Sequence, residues 1–354
     1  MKKPKRLKKG DKVAIVSLSS GIAGDKAFSH RYELGKKRLE EEFGLKVITM
    51  PNALIGSSKI YLHPELRAKD LMDAFKNKDI KAVFCNLGGD DTIRLLPHID
   101  FEVLKNNPKI FMGYSDTTIN HFMLYKAGII SYYGPSIMAE FAENVKMHDY
   151  TKKSVLKILF EDSTGYKIIP SKCWTSQSMT WTNPENNNIQ RKMTEENKNI
   201  EILQGSENIE GVLIGGCIDT FHMFIGSEIW PKSNWKNKIL FLETSEDKPD
   251  PSFISQILRN PLMVKVLKQI KGIIIGKPVD ETYYEEYKNA YLDVVQNELN
   301  LKKLFIGYNY NFGHTAPMCV LPMGIKVRIN VADGVIEFLE SATEEEKNEK
   351  ENNN

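Results

Sequence analysis

No apolar run in this 354-residue sequence approaches the roughly 20 residues that a membrane span requires, which argues against a transmembrane protein. Neither charge is in excess. The 48 basic and 46 acidic residues leave a formal net charge of +2, so there is no electrostatic case for polymeric nucleic acid or an anionic membrane as partner. Cysteine is scarce, and Cys85, Cys173, Cys217 and Cys319 are scattered. That pattern suits reduced thiols in a cytoplasmic protein better than a disulfide framework. A dinucleotide GxGxxG and the lysine of a nucleotide-binding loop are both missing, and no His, Cys, Asp or Glu cluster has metal-ligand spacing. Chemistry without cofactor or metal is the expectation. The basic start, "MKKPKRLKKGDKVAIVSLSS", lacks the apolar core of roughly 7–15 residues found in signal peptides and reads instead as a lead into a first strand.

What is present is alternation. "KVAIVSL", "KVITM", "KAVFCNL" and "KIFM" read as strands, and between the first three lie the helical "HRYELGKKRLEEEFG" and "PELRAKDLMDAFKN". "TIRLLPHI" is also read as helical, as is the stretch from Thr117 to Ala127. Strands separated by helices imply parallel pairing with right-handed crossovers, hence an α/β domain over 1–162. Residues 163–205 are polar and Asn-rich yet carry Trp174 and Trp181, as an interdomain connection with a substrate-facing loop would. Regular patterning returns over 206–341: "GVLIGG", "KILFLET", "KGIIIGK" and "KLFIGYN" as strands. "CIDTFHMFIGS", "PSFISQILRNPLMVKVLKQI" and "ETYYEEYKNAYLDVVQNEL" read as helices, with closing antiparallel strands around "ADG". The charged end, 342–354, reads as a disordered tail.

Five short stretches carry candidate chemistry. In "MGYSD" a strand turns into a helix, and Ser115 sits at the turn, where open α/β sheets bind ligands. Ser115 either caps the helix or acts as a nucleophile on an elbow, although Thr117 stands where the usual elbow has a second glycine. His314 follows the strand "KLFIGY" in "NYNFGHTAPM", placed either as an ordinary loop histidine or as a base reaching over a cleft. Glu243 closes "KILFLE". It is either the first residue of an acidic surface loop, with Glu246, Asp247 and Asp250 after it, or the carboxylate that orients a base. "NLGGDD" puts Gly88 and Gly89 at a strand end, with amides that can face the same crevice. Lys277, ending "KGIIIGK", is either a solvated strand end or an anchor for a substrate carboxylate or phosphate.

Taken together, "GGDD", "MGYSD", "FLET" and "GYNYNFGH", in that order from about Lys9 to Leu339, resemble the LD-carboxypeptidase family of serine peptidases. The resemblance implies an N-terminal parallel-sheet α/β domain with a nucleophile elbow and a C-terminal mixed-sheet α/β domain, commonly in a homodimer. It also implies a Ser115–His314–Glu243 triad, with the backbone amides of Gly89 and Asp116 as oxyanion hole. Two branches differ in substrate. One removes a terminal D-alanine from muropeptide tetrapeptides. The microcin-immunity branch cleaves the amide or acyl linkage of aminoacyl- or peptidyl-nucleotide compounds, and its longer loop bears a tryptophan that stacks on the base. Trp181, in "SQSMTWTNPE", matches that loop and favours the second branch; the other role open to it is packing at the domain interface. A two-domain protein that binds a nucleotide or peptide without catalysis is the alternative of another class.

Overall fold

A computed structural model describes residues 1–345. The strands in chain order are β1 (Lys12–Val16), β2 (Lys46–Thr49), β3 (Ile80–Cys85), β4 (Ile110–Gly113), β5 (Ser131–Tyr133), β6 (Lys167–Ile168), β7 (Cys173–Trp174) and β8 (Thr194–Glu195). They continue as β9 (Glu201–Gln204), β10 (Ile209–Cys217), β11 (Lys238–Glu243), β12 (Gly272–Gly276), β13 (Phe305–Tyr310), β14 (Leu321–Met323), β15 (Lys326–Ile329) and β16 (Ile336–Phe338).

The first sheet has the order β14-β5-β4-β3-β1-β2, with β1 to β5 parallel. β3 and β4 are buried almost throughout, as a sheet covered on both faces requires. The second sheet has the order β6-β16-β15-β10-β11-β12-β13-β9. Its centre, β10 to β13, is parallel, and antiparallel strands flank it on both sides. This is the two-domain α/β arrangement, with one sheet parallel over β1 to β5 and a second, mixed sheet.

The chain interleaves the two sheets more than a simple division suggests. β14, from the C-terminal segment, completes the first sheet by pairing antiparallel with β5, Leu321 opposite Tyr133. β6 and β9, both within 163–205, serve as the two edges of the second sheet. The sheets also meet where β10 ends. Its Cys217 amide donates to Thr118 Oγ1 at 2.9 Å, and a Cβ on Gly216 would stand 2.4 Å from the same oxygen. The end of β10 thus lies directly on the helix Thr118–Lys126 that begins behind Ser115.

Some elements differ from the reading above for identifiable reasons. "TIRLLPHI" holds only a 3-10 segment, Thr92–His98, with Pro97 inside it. "PSFISQILRNPLMVKVLKQI" breaks into Pro251–Arg259 and Pro261–Leu267. Asn260 caps the second helix by accepting from the Leu262 amide, and Pro261 occupies its first turn. "CIDTFHMFIGS" yields a 3-10 turn, Ile218–Thr220, and a four-residue helix, Phe221–Phe224. The helix Asp149–Leu159 and strands β5 to β9 lie outside the strand and helix patterns read above. The expected disordered tail requires correction at its start. Ala342 is fully buried and accepts from the Tyr132 hydroxyl, and Glu344 exchanges backbone hydrogen bonds with Arg6 and Pro4. Residues 346–354 of that tail lie outside the described residues.

Candidate active site

Ser115 sits where β4 ends and the chain turns into one 3-10 turn, Ser115–Thr117, ahead of the helix Thr118–Lys126. Its φ is +64°, in the left-handed region that costs a non-glycine residue roughly 1–2 kcal/mol. Its side chain makes no capping hydrogen bond, so strain at this residue is not accounted for by the helix start. The Ser115 amide donates to the Tyr133 hydroxyl at 3.2 Å.

The glycine turn after β3 comes up against the elbow. A Cβ on Gly88 would stand 2.7 Å from Ser115 Cβ and 3.3 Å from the Asp116 amide nitrogen, so only glycine allows this approach. The Asp116 side chain has a separate task. It is fully buried, and its Oδ2 accepts from the Ser19 hydroxyl at 2.6 Å and from the Thr92 amide at 2.8 Å, binding elbow and glycine turn together. Burial raises its pKa. Asp91, the second acid of "GGDD", takes two hydrogen bonds from the fully buried Arg67, at 2.6 and 2.9 Å.

Glu243 closes β11 opposite Cys217 of β10 and is 1% exposed. Its Oε2 accepts from His314 Nδ1 at 2.7 Å, and its Oε1 accepts from the Tyr133 hydroxyl. Burial, with the charge of Glu243 adding to it, raises the Tyr133 pKa far enough to keep the phenol a neutral donor. Gly313, with φ +92°, lets the chain carry His314 over this carboxylate: a Cβ there would lie 2.5 Å from Glu243 Oε2. The His314 loop is tied down on both sides. The Thr315 hydroxyl donates to the Lys277 carbonyl at 3.1 Å, and Ala316 exchanges two backbone hydrogen bonds with Thr175.

The other ring nitrogen of His314, Nε2, lies 3.0 Å from Glu246 Oε2. Burial works to lower the His314 pKa, but Glu243 and then Glu246 outweigh it, and the net direction is well above 6.5. The hydrogen bond to His314 in turn holds Glu246 down to about 2. The Tyr114 ring stands edge-on to the imidazole, 4.9 Å between centroids.

Ser115 and His314 line one cavity of about 890 Å³, with Gly88, Gly89, Tyr114 and Glu246. Trp181 lines the same cavity, under the Arg31 guanidinium, 4.9 Å from its ring centroid. Arg31 is fixed by Asn144 at 2.7 Å and Asn187 at 2.9 Å, and Arg191 nearby pairs with Glu143. The loop that carries Trp181 is anchored by the small β7–β8 ladder.

Lys277 has to be corrected. It is neither a solvated strand end nor a cavity residue. Its side chain is fully buried, paired with Glu281 at 2.8 Å and Glu196 at 3.1 Å, and its ammonium lies 4.6 Å from the Trp174 ring centroid. It holds the 163–205 segment onto the second sheet. Cys217 Sγ, a Glu243 oxygen and a His314 ring nitrogen fall within 4.8 Å of one another, the single such grouping among the described residues. The three come from distant parts of the chain, so no ligand spacing announces them; here Glu243 and His314 already share a hydrogen bond, and burial raises the Cys217 thiol far up. Tyr133, Glu246, Arg31 and Asp219 are cavity or site residues that the sequence reading did not single out for a role.

Residues 13–134 match the LD-carboxypeptidase N-terminal domain, and residues 210–329 match the LD-carboxypeptidase C-terminal domain. The microcin C7 self-immunity protein MccF of Escherichia coli is 29% identical over 96% of each chain. Its structure in complex with aspartyl sulfamoyl adenosine superposes with a TM-score of 0.84 at 26% identity, covering 97% of this chain and 100% of that one. The putative carboxypeptidase YocD of Bacillus subtilis is 30% identical over 93% of this chain and 96% of its own length. An MccF-like protein from Streptococcus pneumoniae, solved in complex with AMP, has a TM-score of 0.84 at 34% identity, covering 93% of this chain and 98% of that one. Among the described residues no helix is long and apolar enough to cross a membrane. Matched in both domains and along nearly its whole length, the chain is a serine hydrolase of the carboxypeptidase type and belongs to the LD-carboxypeptidase family.

Proposed function

We propose that this enzyme cleaves the amide or acyl linkage between an aminoacyl or peptidyl group and a nucleotide moiety, through an acyl-enzyme on Ser115. The observation that carries the reading is the composition of one cavity. It is lined by the strained Ser115, by His314 held from behind by the buried Glu243, and by an Arg31-backed Trp181. A nucleotide-linked ligand is also what the E. coli and S. pneumoniae relatives hold in their structures.

In this mechanism Ser115 Oγ attacks the carbonyl carbon while His314 Nε2 takes its proton. Glu243 fixes the tautomer through Nδ1 and stabilises the charged ring, with Tyr133 holding its second oxygen. The amides of Gly89 and Asp116 receive the oxyanion, each donor contributing about 3 kcal/mol to the transition state. His314 returns the proton to the leaving nitrogen, the C–N bond breaks, and the nucleotide part departs. A water molecule then gives its proton to His314 and attacks the ester carbon, releasing the acid and restoring the Ser115 hydroxyl. No step calls on a metal or cofactor. Trp181 stacks on the base, a contact of about 1–3 kcal/mol. Scattered unpaired cysteines, three of the four buried, fit a cytoplasmic setting, and a homodimer is the assembly the family implies.

The test is a pair of assays on the purified enzyme, one with an aminoacyl-sulfamoyl adenosine and one with a muropeptide tetrapeptide. Cleavage of the nucleoside compound with little or none of the muropeptide is expected. The reverse preference would replace this reading with a cell-wall carboxypeptidase.

A further inference from the structure

Glu246 lies on the turn after β11, three residues beyond Glu243. Its Oε2 stands 3.0 Å from His314 Nε2, and 70% of its side-chain surface is open although the carboxylate sits at the cavity wall. In a serine–histidine pair Nε2 is the nitrogen that must accept the hydroxyl proton, because Nδ1 is committed to the orienting carboxylate. A carboxylate on each ring nitrogen selects the ring form in which both nitrogens carry protons. An imidazolium cannot take a third. The arrangement is therefore a resting one, and Glu246 has to leave before the base can work.

We propose that Glu246 is a gate on His314, and that a cationic group in the acyl half of the substrate opens it by drawing the Glu246 carboxylate to itself. The gate rests on the serine-hydrolase reading, and the cation names the substrate class within it.

The surroundings say what can draw Glu246 away. The groups facing His314 are Glu243 of β11, Glu246 on the following turn, Tyr114 before the elbow, Cys217 at the end of β10, and Asp219 just after it. Of these, Glu246 alone both touches Nε2 and is exposed enough to swing. On its side of the cavity wall stand Asp219 and Asp247, with no lysine or arginine among the lining residues there. The two lining arginines are spent beside Trp181, Arg191 on Glu143 and Arg31 on Asn144 and Asn187. His222 already bonds the Asp219 carbonyl through Nδ1 at 2.7 Å. Asp219 Oδ2 is used by the Ser245 amide and hydroxyl, whereas its buried Oδ1 has no partner. Burial, then the hydrogen bonds from Ser245 opposing it and the charge of Glu243 adding to it, bring Asp219 up to about 6. A cation arriving here satisfies Oδ1 and offers Glu246 the one counter-charge it can move to.

The experiment compares the wild type with Glu246→Gln in two readouts. The first is an NMR titration of the His314 ring in the substrate-free protein. Losing one of two flanking charges should lower the midpoint by about one unit or more, whereas an unmoved midpoint overturns the gate. The second is kcat/KM for lysyl-, norleucyl- and glutamyl-sulfamoyl adenosine. The wild type should favour lysyl over norleucyl by about tenfold, with glutamyl slowest, and Glu246→Gln should shrink the lysyl advantage to about threefold or less. A lysyl preference that survives in Glu246→Gln, or none in the wild type, overturns the cation. Wild-type failure on all three compounds would count against the nucleotide substrate, and the titration would still decide the gate.

Discussion

Replacing Tyr133 by Phe keeps the ring in the core and removes one oxygen that serves both sheets. The hydroxyl donates to the buried Glu243 and accepts from the Ser115 amide at 3.2 Å, so it joins the elbow of the first sheet to the carboxylate of the second. A hydrogen bond to a charged group contributes about 1.5–3 kcal/mol, and an amide deprived of its acceptor adds about 1 kcal/mol or more. The ring's own packing, 5.4 Å between centroids with Phe241, is unchanged. Tyr133→Phe should therefore destabilise the protein by about 2–4 kcal/mol in urea unfolding at pH 7. Catalysis should fall too, by roughly tenfold to a hundredfold in kcat, because Glu243 can then rotate away from Nδ1. A double-mutant cycle with Glu243→Gln separates the shared term, expected at about 1–2 kcal/mol. A loss of stability under about 0.5 kcal/mol with kcat intact would refute the reasoning.

Three other perturbations address different parts of the molecule. His121 is fully buried between Gly113 O and Ser131 Oγ, and burial lowers its pKa to about 4. A lowered histidine binds its proton more readily when unfolded, so its contribution is intact above pH 6.5 and fades between 6.5 and 4. It should amount to about 3 kcal/mol of acid destabilisation, absent from His121→Gln in unfolding curves measured across that window. Lys277→Met leaves the buried Glu196 without its cation, while the half-buried Glu281 keeps Lys198, and should cost about 3–5 kcal/mol in denaturant melts. Trp181→Ala should weaken binding of the nucleoside substrate by about 1–3 kcal/mol, read as KM or as Kd for AMP, and leave muropeptide handling unaffected. Equal impairment of both would assign Trp181 to packing alone.

The alternation of strand and helix was legible because parallel strands buried on both faces are short apolar runs between amphipathic helices, as "KAVFCNL" and "KILFLE" illustrate. Ser115, Glu243 and His314 could be nominated because each lies at or within a few residues of the C-terminal end of a strand, and sheet topology brings such ends together. Two-residue strands such as β6 and β7 left no period to detect, and β14 could not be assigned to the first sheet from local pattern. Tyr133 reads as one more aromatic strand residue, since its role comes from partners 18 and 110 positions away. Lys277 looked solvated because a lysine after an apolar strand ordinarily is. Its burial depends on Glu196, which reaches it from a loop with no periodicity. Glu246 resembled any acid of a surface turn until His314 was set beside it.

The account stands on Ser115 as the attacking group, and the kcat of Ser115→Ala on an aminoacyl-sulfamoyl adenosine tests it most directly. With folding and unfolding curves matching the wild type, the account predicts a fall of about 10⁴-fold or more; turnover within about tenfold of the wild type would contradict it.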